Sequence, residues 1–239
     1  MADLLADKTL EWSPVVANNA MNRSRVLTGG NGYSADIGVD PSAALIQRLQ
    51  SQPEAAWLDL CCGEGRALMA AAERLEGLGL AERVALVGVD LVDYFAPRPA
   101  PLPCLRLYVA SLHRWTPERR FDQITCVHGL HYIGDKLGLL TRAASWLKPG
   151  GRLYANLDPN NLVLADGGDR AQMLRALCDA GFEVDVERRL VTATDRLEAQ
   201  LPFRYLGAVD AAGPNYTGQP AVDAHYKLRS PAPRRSPAG

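Results

Sequence analysis

The chain has 239 residues, of which 47% are apolar and 22% charged, with a formal net charge of −1. That length predicts one domain, or one domain with an appendage, and enough apolar chain to bury a sizeable core. The near-neutral balance supplies no broad basic field and no segment approaches the ~20 apolar residues of a membrane span, so nucleic acid and membrane are excluded as expected partners and a small molecule or peptide is favoured.

Residues 1–40 are polar, carry Gly29-Gly30 and Gly32, and read as short helical pieces and loop outside any sheet. Asp3 and Asp7 stand where a secretion signal would be apolar, so a cytoplasmic chain is expected. Asp40-Pro41-Ser42 is a helix start, with Asp40 as N-cap and Pro41 in the first helical position. Residues 55–61 then form an apolar strand, Cys61-Cys62-Gly63-Glu64-Gly65 a turn with two spaced glycines, and the alanine-rich residues 65–76 a helix. A strand, a glycine loop and a helix in that order bring backbone close to a nucleotide-type ligand.

The run 83–90 is continuously apolar and closes on Asp90, the pattern of a strand buried on both faces. Four prolines between 97 and 103 predict a short or irregular connection rather than a crossover helix. Strands follow at 104–110 and 122–127, a helix at 135–147 that stops at Lys148-Pro149-Gly150-Gly151, and a strand at 152–157. A helix at 169–180 and a sixth strand at 182–192 complete the alternation, and 197–229 reads as antiparallel strands around a long loop. Residues 230–239 have nothing to bury and are expected to be disordered. Five cysteines, at 61, 62, 104, 126 and 178, show neither a C-x-x-C pair nor a nearby histidine at metal-ligand spacing, so reduced thiols and no metal site are expected.

Alternating strands and helices predict an α/β fold, an open and mostly parallel sheet with helices on both faces. Ligands of such sheets collect at the carboxyl ends of the strands, where the glycine loop, Asp90, Ser111 and His128 all fall. The glycine frame is not the G-x-G-x-x-G of a dinucleotide site, because Asp59 stands inside the first strand and Arg66-Ala67-Leu68 occupies the third glycine position.

Asp59, Gly63 and Gly65 instead resemble the first motif of the class I S-adenosylmethionine methyltransferases, acid-x-Gly-x-Gly-x-Gly, with Cys61 in place of the first glycine. The resemblance covers roughly residues 53–192. It implies a seven-stranded, Rossmann-like sheet with an antiparallel last strand, supplied here by the 197–229 tail, and it divides the chain into a lid segment at 1–52, a cofactor-binding domain at 53–229 and a tail. It also implies S-adenosylmethionine as cofactor and S-adenosylhomocysteine as product.

The resemblance assigns Asp90 to the ribose hydroxyls, with Leu91 beside it; the alternative for Asp90 is a helix N-cap. Ser111 and Leu112 take the position beside the adenine amino group, where Ser111 is equally readable as an ordinary loop residue. Asp59 acts at second hand, by holding loop amides or through water. Tyr33 and Arg25 of the leading segment could reach the cofactor carboxylate or the substrate, or simply lie at the surface. Phe121-Asp122 and Leu130-His131 resemble the family's fourth-strand motif, which makes His131 a candidate base or orienting group and His128 a second candidate that also contacts the cofactor. The alternative is that His131 only packs and His128 offers only its backbone.

Asp158-Pro159-Asn160-Asn161 and Asn215-Tyr216-Thr217 add polar side chains beside the same opening. The expected activity is methyl transfer to oxygen or nitrogen of a small molecule or peptide, by a monomer or homodimer. A cofactor-binding partner subunit without turnover and a nicotinamide-dependent oxidoreductase are the competing readings.

Overall fold

The computed structural model describes residues 3–17, 23–98 and 100–229, so the expected disordered tail and the run 18–22 lie outside the described residues. Four short helices lead the chain: α1 (Asp7–Leu10), α2 (Pro14–Ala17), α3 (Tyr33–Ile37) and α4 (Pro41–Arg48). The last begins as its sequence dictates. The Asp40 carboxylate accepts the amides of Ser42 and Ala43 at 2.9 and 3.1 Å, and Pro41 sits where a missing N–H costs nothing.

Strand β1 (Ala55–Leu60) leads through the glycine loop into α5 (Arg66–Gly77), whose Leu68, Ala72 and Leu75 recur at helical spacing and are fully buried. β2 (Val84–Asp90), β3 (Leu105–Val109) and β4 (Phe121–Cys126) follow, and neither connection between them holds an α-helix among the described residues. Helix α6 (Lys136–Ser145) precedes β5 (Leu147–Asn156), which starts five residues before the expected 152. Lys148 to Gly151 are therefore strand and not a helix stop, accommodated by a register shift between Phe121 and Gln123 of β4.

After β6 (Leu162–Leu164) and α7 (Ala171–Asp179), the expected sixth strand is a hairpin, β7 (Glu183–Asp185) and β8 (Leu190–Thr194). The exposed run Val186-Glu187-Arg188 turns the chain, and Arg189 takes a left-handed φ of 51°. β9 (Phe203–Val209) and β10 (Asp223–Leu228) close the chain.

The main sheet has the order β3-β2-β1-β4-β5-β8-β7, and its first five strands run parallel. Its antiparallel member is β8, inserted between β5 and β7, and not a strand of the late tail. The tail strands build a second sheet, β6-β10-β9, in which β10 pairs parallel to β6 and antiparallel to β9. The pleat of β1 divides the interior in two: Ala56, Leu58 and Leu60 join a core with α6 and α7, while Ala55 and Trp57 join one with α3, α4 and α5.

Two buried carboxylates tie these layers together. Asp122 at the start of β4 accepts the Ala56 amide of β1 at 2.8 Å, Arg48 Nε of α4 at 3.0 Å and Lys148 Nζ of β5 at 2.9 Å. Asp59, fully buried in the middle of β1, accepts the Thr125 hydroxyl of β4 at 2.6 Å and the Tyr33 hydroxyl of α3 at 2.8 Å. Thr125 accepts in turn from Trp57 Nε1 at 2.7 Å. Burial nevertheless outweighs both hydroxyls and pushes Asp59 up to about 7.

Truncating Asp122 leaves a lysine, an arginine and a buried amide without their acceptor. Asp122→Ala is expected to lower the unfolding free energy in urea by about 3 kcal/mol, and a loss below ~1 kcal/mol would show that Asp122 holds nothing together.

The Asp59 carboxyl is easier to ionise in the unfolded chain than in the folded one, so its contribution is greatest below the unfolded value near 4 and is lost as pH rises through about 7. Asn at this position does not titrate. Between pH 5 and 8, Asp59→Asn should therefore gain on the wild type by on the order of 2 kcal/mol in urea denaturation, and parallel pH profiles for the two proteins would refute the shift.

Candidate active site

The carboxyl ends of β1, β2, β3 and β4 open into one cleft. Two residues without the freedom of glycine make its turns, Cys61 and His128, each with a left-handed φ of 57°. They meet at Gly129, where any side chain would collide with the Cys61 side chain and the Cys126 sulfur. The Cys61 thiol is pushed well above its ordinary range, first by its bond to the Cys126 thiol and then by burial, which leaves it a packing group and not a nucleophile.

Of the residues singled out in the sequence, Cys61, Gly63, Asp90, Leu91, Leu112 and His128 line this cleft. Asp90 caps no helix among the described residues of the connection that follows it. Its carboxylate faces the cleft and is bound by the chain itself: Oδ2 accepts the Gly63 amide at 2.8 Å, and Oδ1 accepts Arg23 Nη1 at 2.7 Å and the Val92 amide at 3.3 Å. Gly63 is glycine for a chain-packing reason as well, since a Cβ there would lie 2.5 Å from the Arg23 carbonyl oxygen.

The remaining expected residues are not among those lining the cleft. Tyr33 is buried and donates to Asp59, so it supports the sheet from behind the loop and does not reach forward to a ligand. Arg25 bonds Asp36 of α3. Asp59 holds the hydroxyls of Thr125 and Tyr33, not the loop amides. Gly65, with φ 74°, starts α5 over the Leu107 side chain, and the Ser111 hydroxyl bonds Glu11.

His131 is 1% exposed within the 3-10 turn Gly129–Tyr132, with its carbonyl accepting the Val222 amide at 2.9 Å. Burial, then the neighbouring His128, Lys136, Arg25 and Arg189, hold it well below the ordinary imidazole range, so it stays neutral. His128 Nδ1 lies 3.4 Å from His131 Nε2, which makes the two rings a pair with His128 toward the cleft. Beneath that turn the buried Lys136 donates to the carbonyls of Leu130 and Ile133 at 2.8 and 2.7 Å, and burial brings it down to about 7.

The other half of the cleft was not singled out in the sequence. It is made by Asp7, Leu10, Glu11 and Val16 of the leading segment facing Tyr132, Ile133, Asp135 and Arg142. The leading segment is drawn there by the second sheet, through a bridge between Leu5 and Ala208 of β9. Asp7 pairs with His113 Nδ1 at 2.8 Å, and Asp135 caps α6 by accepting the Gly138 amide at 2.9 Å. No local pattern announces the pairings of Asp7 with His113 and of Leu5 with Ala208, because they join residues more than about 100 positions apart. Arg23 did have a signal: it lies two residues from the arginine that the sequence offered as a ligand group.

A family model described as a methyltransferase domain matches residues 29–180. Trans-aconitate 2-methyltransferase of Methylobacterium radiotolerans is 32% identical over 124 residues, which are 52% of this chain and 45% of that relative. Phosphoethanolamine N-methyltransferase 1 of Arabidopsis thaliana is 27% identical over 130 residues, 52% of this chain and 25% of its own length. The chain thus spans less than half the length of these curated relatives.

Among solved structures, coclaurine N-methyltransferase bound to N-methylheliamine and S-adenosylhomocysteine aligns at TM-score 0.38 and 19% identity, over 51% of this chain and 35% of that one. YjhP from E. coli aligns at TM-score 0.43 and 17% identity, over 69% and 70%. No helix among the described residues is long and apolar enough to cross a membrane. With its match over 29–180 and the strand order and cleft described above, the chain belongs to the methyltransferase-domain family.

Proposed function

We propose that this chain is an S-adenosylmethionine-dependent methyltransferase acting on an oxygen or nitrogen atom of a small molecule or peptide. The observation that carries the reading is the Asp90 carboxylate, nearly buried at the tip of β2, with the glycine loop on one side and Leu91 and Leu112 on the other. An adenosine needs this combination: apolar walls for the base and a carboxylate able to accept from both ribose hydroxyls. A carboxylate has about four acceptor positions, and three are taken by Gly63, Val92 and Arg23. Gly63 and Val92 are backbone donors fixed by the fold, whereas Arg23 donates from a side chain, and it is this position that a second ribose hydroxyl would take.

The bound cofactor supplies a methyl group already activated by a sulfonium, so little acid–base work remains for the protein. Its part is to align donor and acceptor and to remove a proton from an acceptor that carries one. His128 suits the second task by its position in the cleft wall, with the neutral His131 behind it as orienting group. The half of the cleft between the leading segment and Tyr132 to Asp135 is the space left for the acceptor. That the curated relatives are named for trans-aconitate and phosphoethanolamine supports an acceptor of small size.

Titration calorimetry with S-adenosylhomocysteine tests the cofactor half: Asp90→Ala should weaken binding at least about tenfold, ~1.4 kcal/mol, and an isotherm like the wild type's would sink the assignment. For the chemistry, the protein and cofactor are incubated with a metabolite extract and scanned by mass spectrometry for an added methyl group. His128→Ala should slow the reaction so found by roughly a hundredfold while S-adenosylhomocysteine still binds. Binding with no methylated product from any acceptor would point to a partner subunit without turnover.

A further inference from the structure

His128 is held on both edges of its ring by residues from opposite ends of the chain. Asp36 Oδ1, on α3, lies 3.2 Å from Nε2, while the other oxygen of Asp36 is bound by Arg25. On the opposite edge, Tyr216 Oη is 3.3 Å from Nδ1, and His131 Nε2 stands 3.4 Å from the same atom. The loop that carries Tyr216 is fastened there: its amide donates to Asp158 Oδ2 at 3.0 Å, and the Arg189 guanidinium covers its ring at 4.4 Å from the centroid. The ring of His128 is itself 3% exposed, and its backbone amide is turned onto Asn156 Oδ1 at 3.3 Å.

These neighbours select a tautomer. Neutral imidazole has one donor and one acceptor nitrogen. Burial pushes the Tyr216 phenol up to about 12, so it keeps its proton near neutrality and can donate to His128 Nδ1, the partner within its reach. The Asp36 carboxylate beside Nε2 can only accept, which favours the proton on Nε2 and leaves the Nδ1 lone pair to the Tyr216 hydroxyl. The Nε2 approach to Asp36 is too bent for a formed hydrogen bond, but a Coulomb attraction at 3.2 Å does not depend on that alignment and acts in the same sense. His131, Arg25 across Asp36 and Arg189 across Tyr216 are the other ionisable groups around the ring, and the neutral His131 can serve Nδ1 as donor or acceptor.

We propose that Asp36 and Tyr216 are positioning residues that hold His128 as its Nε2–H tautomer, with Nδ1 as the atom that receives the acceptor's proton. The proposal rests on the methyltransferase reading above for its chemistry. In that step the acceptor's X–H bond breaks and its proton goes to Nδ1. The electron pair left on X forms the bond to the methyl carbon, and the methyl–sulfur bond breaks with its pair retained by sulfur. Asp36 balances the charge that His128 acquires.

The tautomer is readable without any acceptor. The full chain, labelled with 15N-histidine, is observed by long-range 1H–15N correlation at neutral pH with S-adenosylhomocysteine present, and His128 is assigned by its loss in His128→Gln. The wild type should show the Nε2–H pattern. Asp36→Asn should shift the equilibrium severalfold toward Nδ1–H, and Tyr216→Phe should keep Nε2–H while moving the Nδ1 resonance to the higher frequency of an unbonded lone pair. Thermal unfolding of each variant checks that it is folded, and because the two substitutions lie on separate elements either one carries the test alone. An Nδ1–H wild type, or a signature that neither variant moves, overturns the proposal. Because this readout needs no turnover, it stands apart from failure of the methyltransferase reading; with an acceptor in hand, loss in kcat rather than KM in both variants completes it, and unchanged kcat removes the catalytic role.

Discussion

A carboxylate in the middle of an apolar strand is the constraint around which the rest of this molecule is arranged. Asp59 has no solvent and must find donors inside the protein or forfeit several kcal/mol. The donors come from two directions, Thr125 on the neighbouring strand and Tyr33 on a helix of the leading segment. One buried oxygen pair therefore fixes the spacing of β1 and β4 and pins the segment that precedes the domain to its central strand. The strands so fixed are the two whose tips carry Cys61 and His128, the left-handed residues that turn the cleft.

Two chain ends complete what the strand tips begin. The second sheet, β6-β10-β9, captures the leading segment at Leu5, and that capture brings Leu10, Glu11 and Val16 across the cleft from Tyr132 and Ile133. Tyr226 of β10 adds a fastening, since its hydroxyl accepts the Leu137 amide at 3.0 Å and lies 3.2 Å from Asp135 at the start of α6. One half of the cleft thus depends on contacts with the late strands, while the other is assembled from the ends of β1 to β4.

Sequence reasoning reached the strand-tip half of the cleft because its signals are local. Cys61 and Gly63 in the loop after β1, the acid closing β2 and the histidine at the tip of β4 lie within a few residues of the structure they make, and all line the cleft. It failed where position depends on distant partners. Tyr33 follows a glycine-rich loop and reads as an exposed lid residue, yet Trp57 and Asp59 provide a buried slot for it. The 182–192 segment reads as one strand because apolar residues stand at both of its ends, Phe182, Val184 and Val186 in alternation and then Leu190-Val191, while three charged residues in the middle belong to the turn. The Pro-Gly-Gly run after α6 was read for its helix-stopping chemistry, although the same residues also suit a strand entry with a shifted register. The Asp36 and Tyr216 contacts to His128 span 92 and 88 residues, respectively, and no spacing rule finds them.

The connections on either side of β3 carry no α-helix among the described residues, and this leaves one flank of the sheet with a layer missing. β3 is an edge strand whose Arg106, Tyr108 and Val109 are exposed, while β4 and β5 are enclosed by helices and by neighbours on both sides. Protection of backbone amides against exchange with solvent should follow that asymmetry, deepest in β4 and shallowest in β3 and the loops around it. The proposed nucleoside wall, Asp90 to Leu112, lies on this looser flank. A ligand held there gives up part of its affinity to close local openings that the fold leaves unopposed, and so lends the flank a rigidity that the chain did not build into it.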